Sequence, residues 1–364
     1  MIIETSTAEI LHKIDQIDPV AYGKSRNYTD GAVSHLSPYI SRGVLSTKLV
    51  FERLQARGIA FSSMEKFVQE LAWRDYWQQL WIAKGTLINT DLKSEQLEVL
   101  HRAIPEALVK GTTGIQLIDQ GIQMLKNTGH LHNHMRMYLA SIACNIAKSH
   151  WKHPAQWMYY HLLDGDWASN ALSWQWVAGT NSNKKYYANQ DNINTFFYGS
   201  QKGSFLDVPY EAFENIPCPE NLSASIVVDF KTPLPAAEEV SLLLDRPVLL
   251  YNYYNLDPFW RKDEAANRIL LLEPSVFEEH PVSQKSIDFV IKLSKNISGI
   301  QVFVGEFEDL AKQALTQQLI FKEHPLNKHY RGTQDERDWL STVKGDFPSF
   351  FRFWKPCKKE LKNR

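Results

Sequence analysis

The run Asp164-Gly165-Asp166-Trp167-Ala168-Ser169-Asn170-Ala171-Leu172-Ser173-Trp174-Gln175-Trp176 constrains the fold more than any other stretch. Two carboxylates, an asparagine and three indoles share thirteen residues. A solvated loop would not carry that many tryptophans, and a plain core would not bury two aspartates without partners. The combination asks for a packed interior with polar sockets. Redox-active aromatics beside buried polar groups suggest a large, flat, electron-carrying ligand.

With 364 residues, two domains are the natural expectation. Net charge is −1, so no global charge announces a nucleic-acid binder. The two parts differ: residues 1–205 hold 20 Lys+Arg against 17 Asp+Glu, and residues 206–364 hold 20 against 24. Nine of the twelve histidines and eight of the eleven tryptophans lie in the first part, which therefore suits stacking ligands. Cys144, Cys218 and Cys357 are distant and odd in number, which gives neither a disulfide framework nor a zinc spacing. The N-terminus shows no signal-peptide pattern and no apolar run reaches membrane-spanning length, so a cytoplasmic setting without membrane contact is expected.

From about Leu45 to Leu163 apolar residues recur at helical spacing, with Gly85, Gly111, Gly129 and Pro154 as helix ends or turns. Thr113 is the expected N-cap of one of these helices. After Phe205 the prolines 209, 217, 219, 233 and 235 suggest an irregular linker. Strands are expected at 247–251, 269–272, 299–304 and 319–321, with helices at 286–295 and 307–315 between them. The chain thus reads as mainly α: an all-α helical domain at 1–205, a linker at 206–240, and a smaller α/β Rossmann-like domain at 241–364. The α/β part carries no G-x-G-x-x-G fingerprint.

Three more segments could carry chemistry. In Val33-Ser34-His35-Leu36-Ser37-Pro38-Tyr39 a serine ahead of a helix can offer its hydroxyl and backbone N–H groups to an anion, although spacing alone equally describes an ordinary N-cap. In Phe67 to Trp77, residues Glu70, Trp73, Arg74 and Trp77 share one helical face; blandly this is an amphipathic helix with a Glu–Arg pair. In Gly129 to Met137, His130 and His134 share a face as zinc-binding histidines do. No H-E-x-x-H glutamate or third ligand accompanies them, so no metal is expected. Trp151 and Trp174, taken singly, read as core aromatics.

Together these segments resemble the photolyase/cryptochrome family. Its patterns are roughly D-G-D-x-A-x-N-x-x-x-W-Q-W, T-S-x-L-S-P-Y, E-L-x-W-R-[DE] and G-[WY]-x-H-N-R-x-R-M. The likeness covers about residues 22–200, the family's helical flavin domain; the usual N-terminal α/β antenna domain does not precede it. The C-terminal α/β region weakly resembles that antenna domain in element order, so a permuted antenna-like domain and an unrelated appendage both stand. Val33 replaces the usual Thr, His134 replaces the first Arg, and Tyr186 to Asn192 departs from the family's Y-F-R-x-F-N-P.

The resemblance implies FAD held by Ser34, Leu36, Ser37, Arg74, Asn133, Arg136, Asp164, Asp166 and Asn170, with Arg136 and Asp164 ion-paired under the ligand and Asn170 at flavin N5. It implies light-driven repair of cyclobutane pyrimidine dimers by electron transfer from reduced flavin, the activity of a deoxyribodipyrimidine photolyase-like lyase. Glu70, Trp73, Met137 and Trp176 would line the lesion pocket, while Asn170 tunes the flavin. Trp174 and Trp151 match the first two members of the electron-relaying tryptophan chain. The third position, near Glu98, holds no Trp, so Trp157 or Tyr160 ends the route or photoreduction is inefficient. The histidines that (6–4) photolyases carry at the positions of Asn133 and Met137 are absent, which argues against that lesion. His134 stands where the family's Arg reaches a DNA phosphate, and its lower charge points to weaker DNA binding and to a single-stranded substrate. The alternative is a cryptochrome-like blue-light photoreceptor that binds FAD and signals through a protein partner. An antenna chromophore is not identified by the residues.

Overall fold

A computed structural model describes residues 3–182, 184–314 and 317–364. Contacts divide the chain into two compact units. A sheet unit gathers the residues up to Val20, Ser34–Ala83 and Lys231–Arg364; a helical unit gathers Ala21–Val33 and Lys84–Phe230. This partition cuts across the sequence division at 1–205, 206–240 and 241–364, for two local reasons.

First, the 34–83 segment is locked to the sheet. Arg42 is completely buried, and its guanidinium lies 3.7 Å over the ring of Tyr253 and 5.0 Å from that of Tyr254. Gly43 has φ +66°, and a Cβ there would meet the Tyr254 carbonyl oxygen at 2.3 Å, so only glycine permits this approach. Second, the expected linker is partly built into the helical unit. Phe213 is buried and stacks on Tyr187 at 5.2 Å, and Ser225–Ile226 pairs antiparallel with Ile104–Pro105. Two buried apolar anchors, Phe213 and Leu222, outweigh the proline-rich composition.

In the sheet unit the five parallel strands are β1 (Val248–Tyr251), β2 (Asn267–Leu272), β3 (Ile300–Val304), β4 (Leu319–Lys322) and β5 (Thr333–Asp335). Their order is β3-β2-β1-β4-β5, the doubly wound arrangement. The first four lie where alternation predicts; β5 is short and polar and carries no such signal. The helices Gln284–Ser294 and Phe307–Ala314 also match expectation, although Leu315 lies outside the described residues. Ligands in such sheets favour the crevice where strand order reverses, between β1 and β4. Protein side chains pack there: Tyr254 stacks on His324 at 4.4 Å, and Arg42 covers Tyr253.

The expected helical pattern holds in detail at Gly111 and Gly129, left-handed caps of Glu106–Lys110 and Gln116–Thr128. Thr113 is not the N-cap; Ile115 is. Thr113 instead sits fully buried and donates its hydroxyl to Asp119 at 2.7 Å. The Asp119 carboxylate also accepts the backbone N–H groups of Thr113 and Gly114, so one acid organises the turn that an N-cap would have served. Among the described residues no helix is long and apolar enough to cross a membrane.

Candidate functional site

In the helical unit, the Asp164–Asn170 stretch is shaped by its own turn. Asp166 is the N-cap of the Trp167–Ala178 helix and accepts from Ser169 N–H at 2.7 Å. This holds a buried carboxylate at a helix N-terminus, where the dipole favours it. Gly165 is tightly packed: a Cβ would lie 3.1 Å from both the Leu162 and Tyr159 carbonyl oxygens. Asp164 accepts twice from Arg136 Nη2, at 2.9 Å to each oxygen, while Arg136 Nε donates to the Leu131 carbonyl at 3.0 Å. Asp164 is 4 % exposed at its side chain and Arg136 24 %, so the pair is largely desolvated and each charge needs the other.

Asn170 is oriented by one bond. Its Nδ2 donates to the Ala155 carbonyl at 2.8 Å, and since only an amide NH2 can donate to a carbonyl, the orientation is unambiguous. The amide oxygen is therefore the end presented elsewhere, as an acceptor. That is the polarity needed to receive a hydrogen bond from a reduced ring N–H. The donor set thus fits a flavin.

Asn133 opens the Asn133–Ser141 helix and is exposed, while Met137 one turn later is half-buried. His134 is also half-buried, its ring edge-on to Phe196 at 4.8 Å. Burial, reinforced by His132 and Arg26, pulls its pKa down to about 4. At neutral pH it carries no charge, so it cannot replace the family's arginine as a phosphate cation. His132 is committed within the turn: Nδ1 accepts from His134 N–H and Nε2 faces the Arg26 carbonyl, both at 3.2 Å.

The tryptophans of this unit are separately anchored. Trp151 is completely buried and donates its indole N–H to Asp91 at 2.7 Å; Trp167 donates to Asn89 at 2.7 Å. Trp174 is buried, whereas Trp176 is 40 % exposed beside Tyr186. Of the two residues expected to end an electron route, Trp157 is buried and Tyr160 half-buried against Phe230. Glu98, at the expected third tryptophan position, bonds Lys148 at 3.1 Å and Lys185 at 2.8 Å. Those two lysines hold its pKa down to about 2.

The remaining expected residues lie in the sheet unit. Ser34 accepts from Leu36 N–H at 3.4 Å within a turn whose next residue, His35, has φ 53°. Leu36, not a serine, is the N-cap of the Ser37–Ser41 helix, and it makes no side-chain cap bond. At five residues that helix is too short for its dipole to weigh much, which removes one argument for an anion site. Arg74 donates to Ser41 Oγ at 2.8 Å. Glu70 pairs with Lys66 at 3.1 Å along the Phe61–Lys84 helix.

Trp73 differs most from expectation. One face of its ring is covered by Phe350 at 3.7 Å and 9°, so that face is closed to a stacking base. Phe350 opens the C-terminal helix Phe350–Lys362, which the sequence reading missed. The signal was there: Phe350, Phe353, Trp354, Cys357 and Leu361 recur at helical spacing, and all are buried.

Comparison with known proteins follows these residues. The family model for the FAD-binding domain of DNA photolyase matches residues 67–202. The deoxyribodipyrimidine photo-lyase of Streptomyces griseus is 31 % identical over 176 residues, 45 % of this chain and 37 % of that protein. A Thermus thermophilus protein of the same name is 36 % identical over 166 residues, 43 % of this chain and 38 % of the relative. The chain therefore spans less than two fifths of the length of these curated relatives. Among solved structures, a Synechocystis cryptochrome shares 21 % identity, with a TM-score of 0.48, over 61 % of this chain and 49 % of its own. Residues 67–202 thus match the FAD-binding domain of DNA photolyase.

Proposed function

We propose that the chain binds FAD and uses it for light-driven repair of cyclobutane pyrimidine dimers in DNA. The observation that carries this reading is Asn170, whose amide nitrogen is spent on Ala155 so that an oxygen acceptor is held out in fixed orientation. FAD, when bound, supplies the light absorption and the electron that a dimer needs to split.

The protein's own part is positional. The Arg136–Asp164 pair sets a neutral, rigid floor, Asp166 and Asn133 offer polar edges, and Asn170 accepts a ring proton's hydrogen bond. Ser34, Leu36, Ser37 and Arg74 keep their assignment to the cofactor as part of the proposal. Trp176, 40 % exposed, offers an indole surface to an extruded base, and half-buried Met137 lines the same pocket. Glu70, about one third exposed, retains a carboxylate for hydrogen bonding to the bases. Trp174 and Trp151 would relay electrons when the flavin starts oxidised.

Two observations favour the second reading, a blue-light photoreceptor without repair: Phe350 covers one face of Trp73, and His134 is held neutral. Illuminating the FAD-loaded protein with a dimer-containing single-stranded oligonucleotide separates them. Recovery of intact thymines supports repair. Bound FAD that responds to light while the dimer persists leaves the photoreceptor.

A further inference from the structure

The Phe350–Lys362 helix is strongly two-faced. Its inner face, Phe350, Phe353, Trp354, Cys357 and Leu361, is buried in the sheet unit. Its outer face exposes Arg352, Lys355, Lys359 and Lys362, headed by Phe351 at 68 % exposure. From Phe350 to Arg364 there are six Lys+Arg and one Asp+Glu, a net +5 in a chain of net −1. The lone acid, Glu360, is already bonded to Thr342 and Arg364, and Lys358 turns to Glu65. Among the described residues, none of the four outer cations forms an ion pair.

We propose that this outer face is a track for single-stranded nucleic acid, with the four cations on successive phosphates and Phe351 stacked on a base. The nucleic-acid class rests on the repair reading above; the charge geometry does not. Spacings of three, four and three residues place the cations along about 15 Å of helix. In a stacked, duplex-like strand phosphates lie about 3.4 Å apart along the axis, and farther apart in an extended strand, so the stripe spans at most roughly four or five of them. A membrane surface fits less well. Interfacial helices turn their apolar face to lipid, and here that face is consumed by the protein. The track also starts beside Trp73, since Phe350 stacks on that indole and Phe351 is the next residue.

Fluorescence anisotropy in the dark, with a labelled oligothymidylate and the full chain, tests this without any need for flavin or repair. The slope of log affinity against log salt should fall by about 0.7 for each cation lost, and so by about 3 for Arg352, Lys355, Lys359 and Lys362 all changed to Ala. Phe351→Ala should weaken binding about tenfold with the slope unchanged. A charge-matched control, Lys24, Lys110, Lys202 and Lys312 to Ala, should leave the slope near wild type. An unchanged slope in the helix variant, or an equal loss in the control, overturns the track. So does tight binding to phosphatidylserine vesicles with none to the oligonucleotide. Absence of dimer repair with normal dark binding would instead refute only the repair reading.

Discussion

Two sets of tryptophans, one in each unit, are held in different ways. In the sheet unit, Trp73, Phe350 and Trp354 lie within 9° of parallel, with Trp73 and Phe350 only 3.7 Å apart. One face of Trp73 is spent on Phe350, and Tyr76 meets both rings edge-on. In the helical unit, Trp151 and Trp167 are each held by a single indole N–H bond, to Asp91 and Asn89. Ring-on-ring stacking gives cohesion and fills space. A one-point anchor fixes orientation. Two individual buried carboxylates also differ. Asp164 has an arginine partner, while Asp75 relies on Thr47 Oγ1 at 2.9 Å and Leu340 N–H at 2.8 Å.

The comparison is most exposed at Phe350. Phe350→Ala should cost about 4 kcal/mol, the usual cost of emptying a buried aromatic site, and should shift Trp73 emission to the red. Urea denaturation measures the first and fluorescence the second. A loss under about 1 kcal/mol would mean the stack is not cohesive.

Asp75 gives a smaller, pH-dependent effect. Burial pushes its pKa up to about 6 from 3.8, against the pull of the Leu340 and Thr47 bonds. Between those values the native state binds more protons than the unfolded chain, so the Asp75 contribution to stability is fully present below pH 4 and is lost as pH rises through 6. The swing is about 3 kcal/mol at most. Asp75→Asn should flatten that part of the stability–pH curve; a curve as steep as wild type would assign the slope to another group.

The smallest effect is expected at an anchor. Trp167→Phe keeps one aromatic ring, leaves part of the indole's buried volume empty and loses one hydrogen bond, while half-buried Asn89 can rehydrate. A cost of about 2 kcal/mol follows, read from the same urea transitions. A loss as large as that of Phe350→Ala would erase the distinction between the units.

Part of the candidate site was legible through the motif resemblance, which implied the Arg136–Asp164 pair that the structure forms. That Asp166 caps the Trp167–Ala178 helix emerged only from the structure. The strands β1 to β4 announced themselves as apolar runs; β5 did not, since a polar three-residue edge strand has no pattern to show. The expected Ser34 and Thr113 caps failed because hydroxyl bonding near a helix start is decided by which turn the chain takes, as at His35 and Asp119. The His134 charge was readable as a residue type, but its neutrality depends on how deeply Phe196 and its neighbours bury it.

The sequence by itself determined four of the five strands, most of the helical segments and the match of residues 67–202 to a photolyase FAD-binding domain, because periodicity and contiguous motifs act over a few residues. Only the tertiary structure decided that the 34–83 segment joins the sheet through Arg42 and Gly43, and that Phe350 covers Trp73. Those contacts join residues some two hundred or more positions apart. Their energy comes from desolvation and stacking between distant segments, which no local pattern encodes.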